Sequence, residues 1–242
     1  RTGGRMKVPG TAMVMAAGLG TRMRPLTNDR PKPLVEVGGK PLIDHAFDKL
    51  RLAGVGKAVV NIHYLPAMME AYLGAGIDGL DIRISDERDL LLETGGGLVK
   101  ALPLIDDDPF FAINSDAIWT DGQLDALTRL AESWDYERMD ALLLLVPREN
   151  AHHHRGKGDF FLGGEGQLIR RGEHDSAPYV YTGVQLISKR LLRDAPGGPF
   201  STNVLWDRAI AEGKAFGLIH EGLWFDIGSP AAIAPTQEAL LA

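Results

Sequence analysis

The chain has 242 residues, and at about 150 residues per domain that length suits one full α/β domain with a small elaboration. Hydrophobic residues make up 45% and charged residues 24%, the balance of a folded globular chain rather than a disordered one. The 26 Lys and Arg against 32 Asp and Glu leave a net charge of −6, which argues against a protein that coats nucleic acid, and the lack of any Cys excludes disulfides, thiolate zinc sites and cysteine nucleophiles.

In chain order, the basic segment at residues 1–7 reads as a frayed tail with no signal-peptide core behind it. Residues 11–15 form a short β-prone run that enters the glycine loop Ala16-Ala17-Gly18-Leu19-Gly20. Residues 41–52 predict a helix, with Pro41 at its start, apolar positions at Leu42, Ala46, Phe47 and Leu50, and Gly54 to close it. A strand over 57–62, a helix over 66–73 and a strand over 80–84 follow. Gly95-Gly96-Gly97 reads as a turn leading into a helix at 98–102, and a strand over 110–113 stops at Asn114-Ser115-Asp116. An amphipathic helix over 123–134 and a buried strand over 141–146 complete a β-α-β-α order, which predicts a mostly parallel sheet with helices on both faces.

After Pro147 the pattern changes. Residues 152–173 predict loops and short antiparallel strands, followed by a strand over 181–187, a helix over 203–211, a strand over 222–225 and a last helix over 231–241. The longest aliphatic run, residues 141–146, is far shorter than the ~20 residues a membrane-crossing helix needs. A cytoplasmic protein with no membrane or nucleic-acid partner is the expectation. Oligomeric state is left open, a monomer sufficing.

Glycines directly after a first strand let backbone N–H groups approach phosphate oxygens. The dinucleotide fingerprint fails because Met23 stands where its third glycine belongs, and no Gly-Lys-Ser/Thr occurs for a mononucleotide P-loop. Arg22, Arg24 and Lys32 supply positive charge to the loop instead. The string Gly18-x-Gly20-Thr21-Arg22-Met23-Arg24-Pro25-Leu26-Thr27, followed by Pro31-Lys32-Pro33, closely resembles the signature of the sugar-1-phosphate nucleotidyltransferases. Asn114-Ser115-Asp116 resembles the family's acidic turn, with Ser115 in place of the usual glycine. Trp224-Phe225-Asp226-Ile227-Gly228-Ser229-Pro230 resembles its late Trp-x-Asp-x-Gly-Thr-Pro motif, and Leu92-Glu93-Thr94-Gly95-Gly96-Gly97 its base-facing turn. Asn61-Ile62-His63-Tyr64-Leu65 is similar to the compact branch whose members act on N-acetylmuramic acid, mannose and heptose 1-phosphates.

The resemblance implies a Rossmann-like α/β sheet with a small antiparallel sugar-binding elaboration: a nucleotide-binding core over about 11–146, a sugar-binding part over 147–230 and a C-terminal helix over 231–242. It implies that a sugar-1-phosphate and an NTP give a nucleotide-sugar and pyrophosphate. UTP with N-acetylmuramic acid 1-phosphate, in cell-wall sugar recycling, is the first expectation. A mannose- or heptose-1-phosphate guanylyltransferase is the rival, and a nucleotide-sugar sensor without turnover the alternative of another class. Arg22 and Lys32 are the implied catalytic residues, and Asp116 and Asp226 the implied Mg²⁺ ligands. Ala16, Ala17, Gly18, Gly20, Thr21, Arg22, Met23, Glu93, Gly95 and Gly96 are the implied nucleotide contacts. Lys32, His63, Asn114, Gly158, Asp159, Arg170, Thr182 and Gly183 are implied on the sugar phosphate, with Arg170 or Arg171 nearest to where a second phosphate-binding lysine belongs.

Plainer readings compete. Asp226 could end a strand while Ser229 caps a helix beginning at Pro230, although capping leaves Asp226 unexplained. His63 is open between a packed histidine and a pocket contact, and Glu93 between the surface and the nucleotide. His152-His153-His154 lies in a loop-like stretch with no carboxylate at partner spacing, and no metal is expected there. The glycine turn at 95–97 would let a small base approach closely, which favours UTP over GTP. If Asp116 and Asp226 each follow strands lying side by side in a parallel-edged sheet, both carboxylates emerge at one end.

Overall fold

Successive residues of the first strand, β1 (Thr11–Met15), point into two different cores, and the rest of the architecture follows from that alternation. The computed structural model describes residues 6–242, so the part of the basic tail at residues 1–5 lies outside the described residues. Ala12 and Val14 pack with helices α1 (Leu42–Ala53) and α4 (Ala126–Ser133), whereas Met13 packs with α3 (Glu93–Ala101) and α5 (Asn203–Ala211). A strand covered on both faces has no polar side, which is why residues 12–15 are continuously apolar.

The remaining elements are the hairpin β2 (Glu36–Val37) and β3 (Lys40–Pro41), then β4 (Lys57–Ile62), α2 (Pro66–Gly74), β5 (Asp81–Asp86), β6 (Phe110–Asn114), β7 (Ala117–Trp119) and β8 (Ala141–Pro147). They are followed by β9 (Ala151–His152), β10 (Phe160–Leu162), β11 (Leu168–Arg170), β12 (Tyr179–Ile187), β13 (Ala215–Ile219), β14 (Trp224–Asp226) and α6 (Ile233–Leu241). The main sheet has nine strands in the order β11-β10-β12-β6-β1-β4-β5, with β8 on β12 and β13 on β8.

Strands β6, β1, β4 and β5 are parallel neighbours, as the alternating helices require. The expectation of a mostly parallel sheet needs one correction: β12 runs antiparallel to both β6 and β8, making the whole sheet mixed. No crossover helix lies between β8 and β12; the chain turns back through the β10–β11 hairpin instead. Helix α4 starts later than its amphipathic pattern suggests, because Asp125 accepts the Thr128 N–H at 2.9 Å and caps it there. Strand β13 was absent from the sequence reading. Gly217 at its centre hides it, yet a Cβ there would come within 2.6 Å of Leu145, so the strand needs that glycine to lie against β8. Among the described residues no helix is long and apolar enough to cross a membrane.

A small three-stranded sheet, β7-β14-β9, stands beside the main one. Its Ile118 and Phe225 share an apolar cluster with Met23, Val35, Val37 and Leu42. That cluster ties the turn after the glycine loop to the end of β14.

Candidate active site

Where β1 ends, its backbone is held from below. The Ala16 N–H donates to Asn61 Oδ1 at 2.6 Å, Asn61 Nδ2 donates to Glu87 Oε2 at 2.8 Å, and Glu87 Oε1 accepts the Leu92 N–H at 3.0 Å. Asn61 and Glu87 are both buried, so one carboxylate braces the glycine loop and the β5–α3 connection together. The sequence reading missed Glu87 and gave Asn61 no role; the available signal was an Asn inside the apolar run 58–62. Gly20 adopts φ +65°, and a Cβ on it would stand 3.1 Å from both Lys32 and Thr27. It lets the loop fold back while the Thr27 hydroxyl donates to its carbonyl at 2.6 Å.

A cavity of about 250 Å³ opens above this loop. Ala16, Ala17, Gly18 and Gly20 line one wall, Glu93 and Thr94 another, and Lys32, Asn114 and Asp116 the base. Asn114 and Asp116 are shared with a second cavity of about 190 Å³, which also holds Arg22, His154, Asp159 and Asp226. Lys32 starts the 3-10 turn Lys32–Leu34, between Pro31 and Pro33, and its Nζ lies 2.6 Å from Asp116 Oδ2. Asp226 Oδ2 lies 2.9 Å from His154 Nδ1.

The two carboxylates reach one cavity by a different route from the one expected. Strands β7 and β14 are antiparallel, with Asp226 opposite Ala117, so the end of one strand sits beside the start of the other, where Asp116 lies. Lys32 and His154 each engage one oxygen of their carboxylate, and both acids line the same cavity. Among the described residues no cluster of three or more His, Asp or Glu could cage a metal. Two hard oxygen donors facing a cavity suit Mg²⁺, which keeps the rest of its shell for phosphate oxygens and water.

A model of the nucleotidyl transferase family matches residues 11–154. The chain belongs to the nucleotidyl transferase family. It is 47% identical to the N-acetylmuramate alpha-1-phosphate uridylyltransferase of Caulobacter vibrioides, over 93% of this chain and 95% of that one. The protein of the same name from Neisseria meningitidis serogroup B is 36% identical over 93% and 96% of the two chains. The inositol-1-phosphate CTP transferase from T. maritima shares the fold, with a TM-score of 0.80 over 98% of this chain and 96% of that one at 21% identity. The family resemblance read from residues 18–33 is thus borne out, as is the Rossmann-like α/β fold.

Within this nucleotidyl transferase several expected contacts lie elsewhere. Residues 95–97 do not form a turn: they lie inside α3, which begins at Glu93 with φ +59°. The Gly95 and Gly96 amides both donate to the Phe200 carbonyl. A Cβ on Gly95 would stand 2.3 Å from the Phe200 ring, and one on Gly96 2.6 Å from the Gly198 carbonyl. Gly95 and Gly96 line neither cavity, and their missing side chains make room for the 198–200 loop. Glu93 and Thr94 are the residues of this motif that reach the cavity. The Met23 side chain is fully buried and its amide donates to Gly20, so Met23 anchors the turn; Thr21 is exposed outside both cavities.

His63 lines neither cavity, and its Nδ1 donates to the Glu87 carbonyl at 2.7 Å. Arg170 pairs with Asp207 at 2.8 Å and lies over the Phe160 and Trp206 rings. Arg171 donates to the Gly158 carbonyl, and neither arginine lines the two cavities. Gly158, at φ +85°, is a close-packing position, since a Cβ would come within 2.0 Å of the Ala177 carbonyl. Asp159 lines the second cavity while accepting the Tyr181 N–H at 2.8 Å. Thr182 and Gly183 line it too, at a bulge where the β12–β8 register shifts between Tyr181 and Gln185. The Thr182 hydroxyl is spent on the Leu144 carbonyl, leaving backbone to face the cavity. Ser229 makes no side-chain capping bond, which removes the plainer reading of its motif. The loop reading of His152-His153-His154 is corrected at His152, which lies in β9, and the reading that no carboxylate partners the run is corrected at His154, whose partner Asp226 lies 72 residues away in sequence.

Proposed function

We propose that this transferase couples UTP to N-acetylmuramic acid 1-phosphate, forming the nucleotide-sugar and releasing pyrophosphate. The observation that carries the reading is the convergence of Arg22, Lys32, Asp116 and Asp226, from three separate segments, on two adjoining cavities. The choice of sugar and base is supported by the names of the two full-length relatives.

A phosphate oxygen of the sugar-1-phosphate attacks the α-phosphorus in line as pyrophosphate leaves. That oxygen is already anionic near neutral pH, so no general base is needed, and catalysis consists of positioning and charge neutralisation. The amides of residues 16–20 and Arg22 hold the leaving pyrophosphate. Lys32 places its charge at the α-phosphate, and Asp116 fixes its Nζ there. Glu93 and Thr94 face the nucleoside; Asn114, Asp159 and the Thr182-Gly183 bulge face the sugar. Asp116 and Asp226 would hold Mg²⁺, which when bound supplies charge neutralisation and a template for phosphate oxygens. In this division residues 11–146 handle the nucleotide, 147–230 complete the sugar side, and the C-terminal helix braces β2 through Gln237 and Gly38.

Pyrophosphate release across UTP, GTP, dTTP and CTP with N-acetylmuramic acid, mannose, heptose and glucose 1-phosphates tests the reading. The highest kcat/KM is expected for UTP with N-acetylmuramic acid 1-phosphate. A higher value for GTP with a mannose or heptose phosphate overturns the assignment of base and sugar. Nucleotide-sugar binding without pyrophosphate release for any pair makes the protein a sensor.

A further inference from the structure

A third cavity, of about 250 Å³, adjoins the other two and has no ligand in the mechanism above. Asn114 stands at the junction and lines all three. Beyond it the hollow is walled by Leu98 of α3, Tyr181 of β12 and Trp206 of α5, with Ala112 of β6 also exposed to it. A water molecule's share of liquid volume is about 30 Å³, so the space far exceeds what a ring hydroxyl needs.

Its chemistry is specific. No Asp, Glu, Lys, Arg or His lines it. Most of its polar groups are already spent: Gln185 Oε1 accepts the Trp206 indole N–H at 3.0 Å, and Thr94 Oγ1 accepts the Thr202 N–H at 2.8 Å. Three are not. The Asn114 carboxamide, the Tyr181 hydroxyl and the Thr202 hydroxyl have no hydrogen-bond partner among the described residues. Tyr181 is held edge-on against Trp206, ring centroids 4.9 Å apart, and also lines the second cavity. A ligand therefore meets one donor–acceptor carboxamide, two free hydroxyls and an apolar wall.

We propose that this hollow is the subsite for an acylamino substituent of the sugar, its amide bonding to Asn114 and Tyr181 and its methyl resting on Leu98 and Trp206. The proposal rests on the sugar-phosphate reading above and deepens it. An acylamino group carries the N–H, C=O and methyl that match this lining. A carboxylate does not match it, because burying a charge with no counter-charge is expensive. The lactyl acid of N-acetylmuramic acid therefore stays outside the hollow, and the acylamino group enters it.

The test compares kcat/KM, with UTP, for N-acetylmuramic acid 1-phosphate and for its 2-hydroxy counterpart, which keeps the lactyl group and loses only the acylamino group. The wild-type enzyme is expected to prefer the acylamino sugar at least tenfold, since a site built to hydrogen-bond a group rejects the analogue lacking it. Tyr181→Phe removes the hydroxyl, keeps the ring against Trp206, and should cut that preference several-fold through KM for the sugar. Ala112→Val adds two methyl groups inside the hollow and should shrink the preference further. Melting curves establish that each variant is folded; Tyr181→Phe alone decides if Ala112→Val is not. Equal kcat/KM for the two sugars in the wild type, or an unchanged preference in folded Tyr181→Phe, overturns the subsite alone. No pyrophosphate release from either sugar overturns the parent reading and the subsite with it.

Discussion

Replacing Lys32 with alanine separates a charge needed for turnover from one needed for folding. The Lys32–Asp116 pair is short, at 2.6 Å, but the Asp116 side chain is 36% exposed and the Lys32 side chain 14%. An unpaired Asp116 recovers water, so losing the pair should cost only about 0–1 kcal/mol of stability. For a chain of this size that is a fall in Tm of no more than about 2–4 °C. The rate effect should be far larger. Lys32 is the one cationic side chain among the described residues lining the first cavity, Arg22 lying on the second, so no neighbour replaces it. Losing one charge-stabilising donor costs about 10²–10³ in kcat, or about 2.7–4 kcal/mol of barrier. Lys32→Ala should therefore melt almost like the wild type and release pyrophosphate at least about 100-fold more slowly at saturating substrates. Turnover within about threefold of wild type, well inside the single-donor range, would refute the placement of Lys32 at the reacting phosphate. A drop in Tm beyond about 8 °C, twice the range for a 1 kcal/mol loss, would assign it a structural role instead.

Asp116→Asn and Asp226→Asn should each fold and each lose most turnover, with the double variant little worse than either single one, because both disable one shared ion. Nucleotide-dependent Mn²⁺ binding, followed by water-proton relaxation, should weaken in both, and multiplicative rate losses would exclude a shared ion. Gly95→Ala drives a Cβ to 2.3 Å from Phe200 and should cost about 1–3 kcal/mol in urea unfolding, whereas an unchanged midpoint would show that the 198–200 loop yields freely. Burial pushes the His220 imidazole below its ordinary value of 6.5, the Leu223 carbonyl at Nε2 only partly opposing it, and Nδ1 is buried without a partner. The unfolded chain then takes up a proton below about pH 6.5 that the folded chain resists. Stability should fall as the pH drops from 7 toward 5, and a Tm–pH slope as steep in His220→Gln as in the wild type would remove His220 as its source.

Much of this protein is legible from local sequence. The strand at Lys57–Ile62 and the helix at Asn203–Ala211 follow directly from apolar runs and periodicity, because burying one face or both leaves a mark on consecutive residues. The loop from Gly18 to Lys32 is legible for a related reason: a phosphate cradle needs particular backbone freedom and charge within a few residues of one another. What local sequence does not encode is which distant segment supplies the partner. Residues 95–97 could open onto a base or admit Phe200, and only the packing of 198–200 against α3 decides. Arg170 could face any acidic partner, and the approach of β11 to α5 sets it beside Asp207. Glu87, Asn61 and Ala16 come from three separate segments, yet make one buried brace beneath the glycine loop. Asp116 and Asp226 are joined by antiparallel pairing of β7 with β14, and His154 reaches Asp226 only because β9 lies on the other side of β14. A side chain's type limits what it can bond, but its actual partner is set by which backbone segments the core holds side by side.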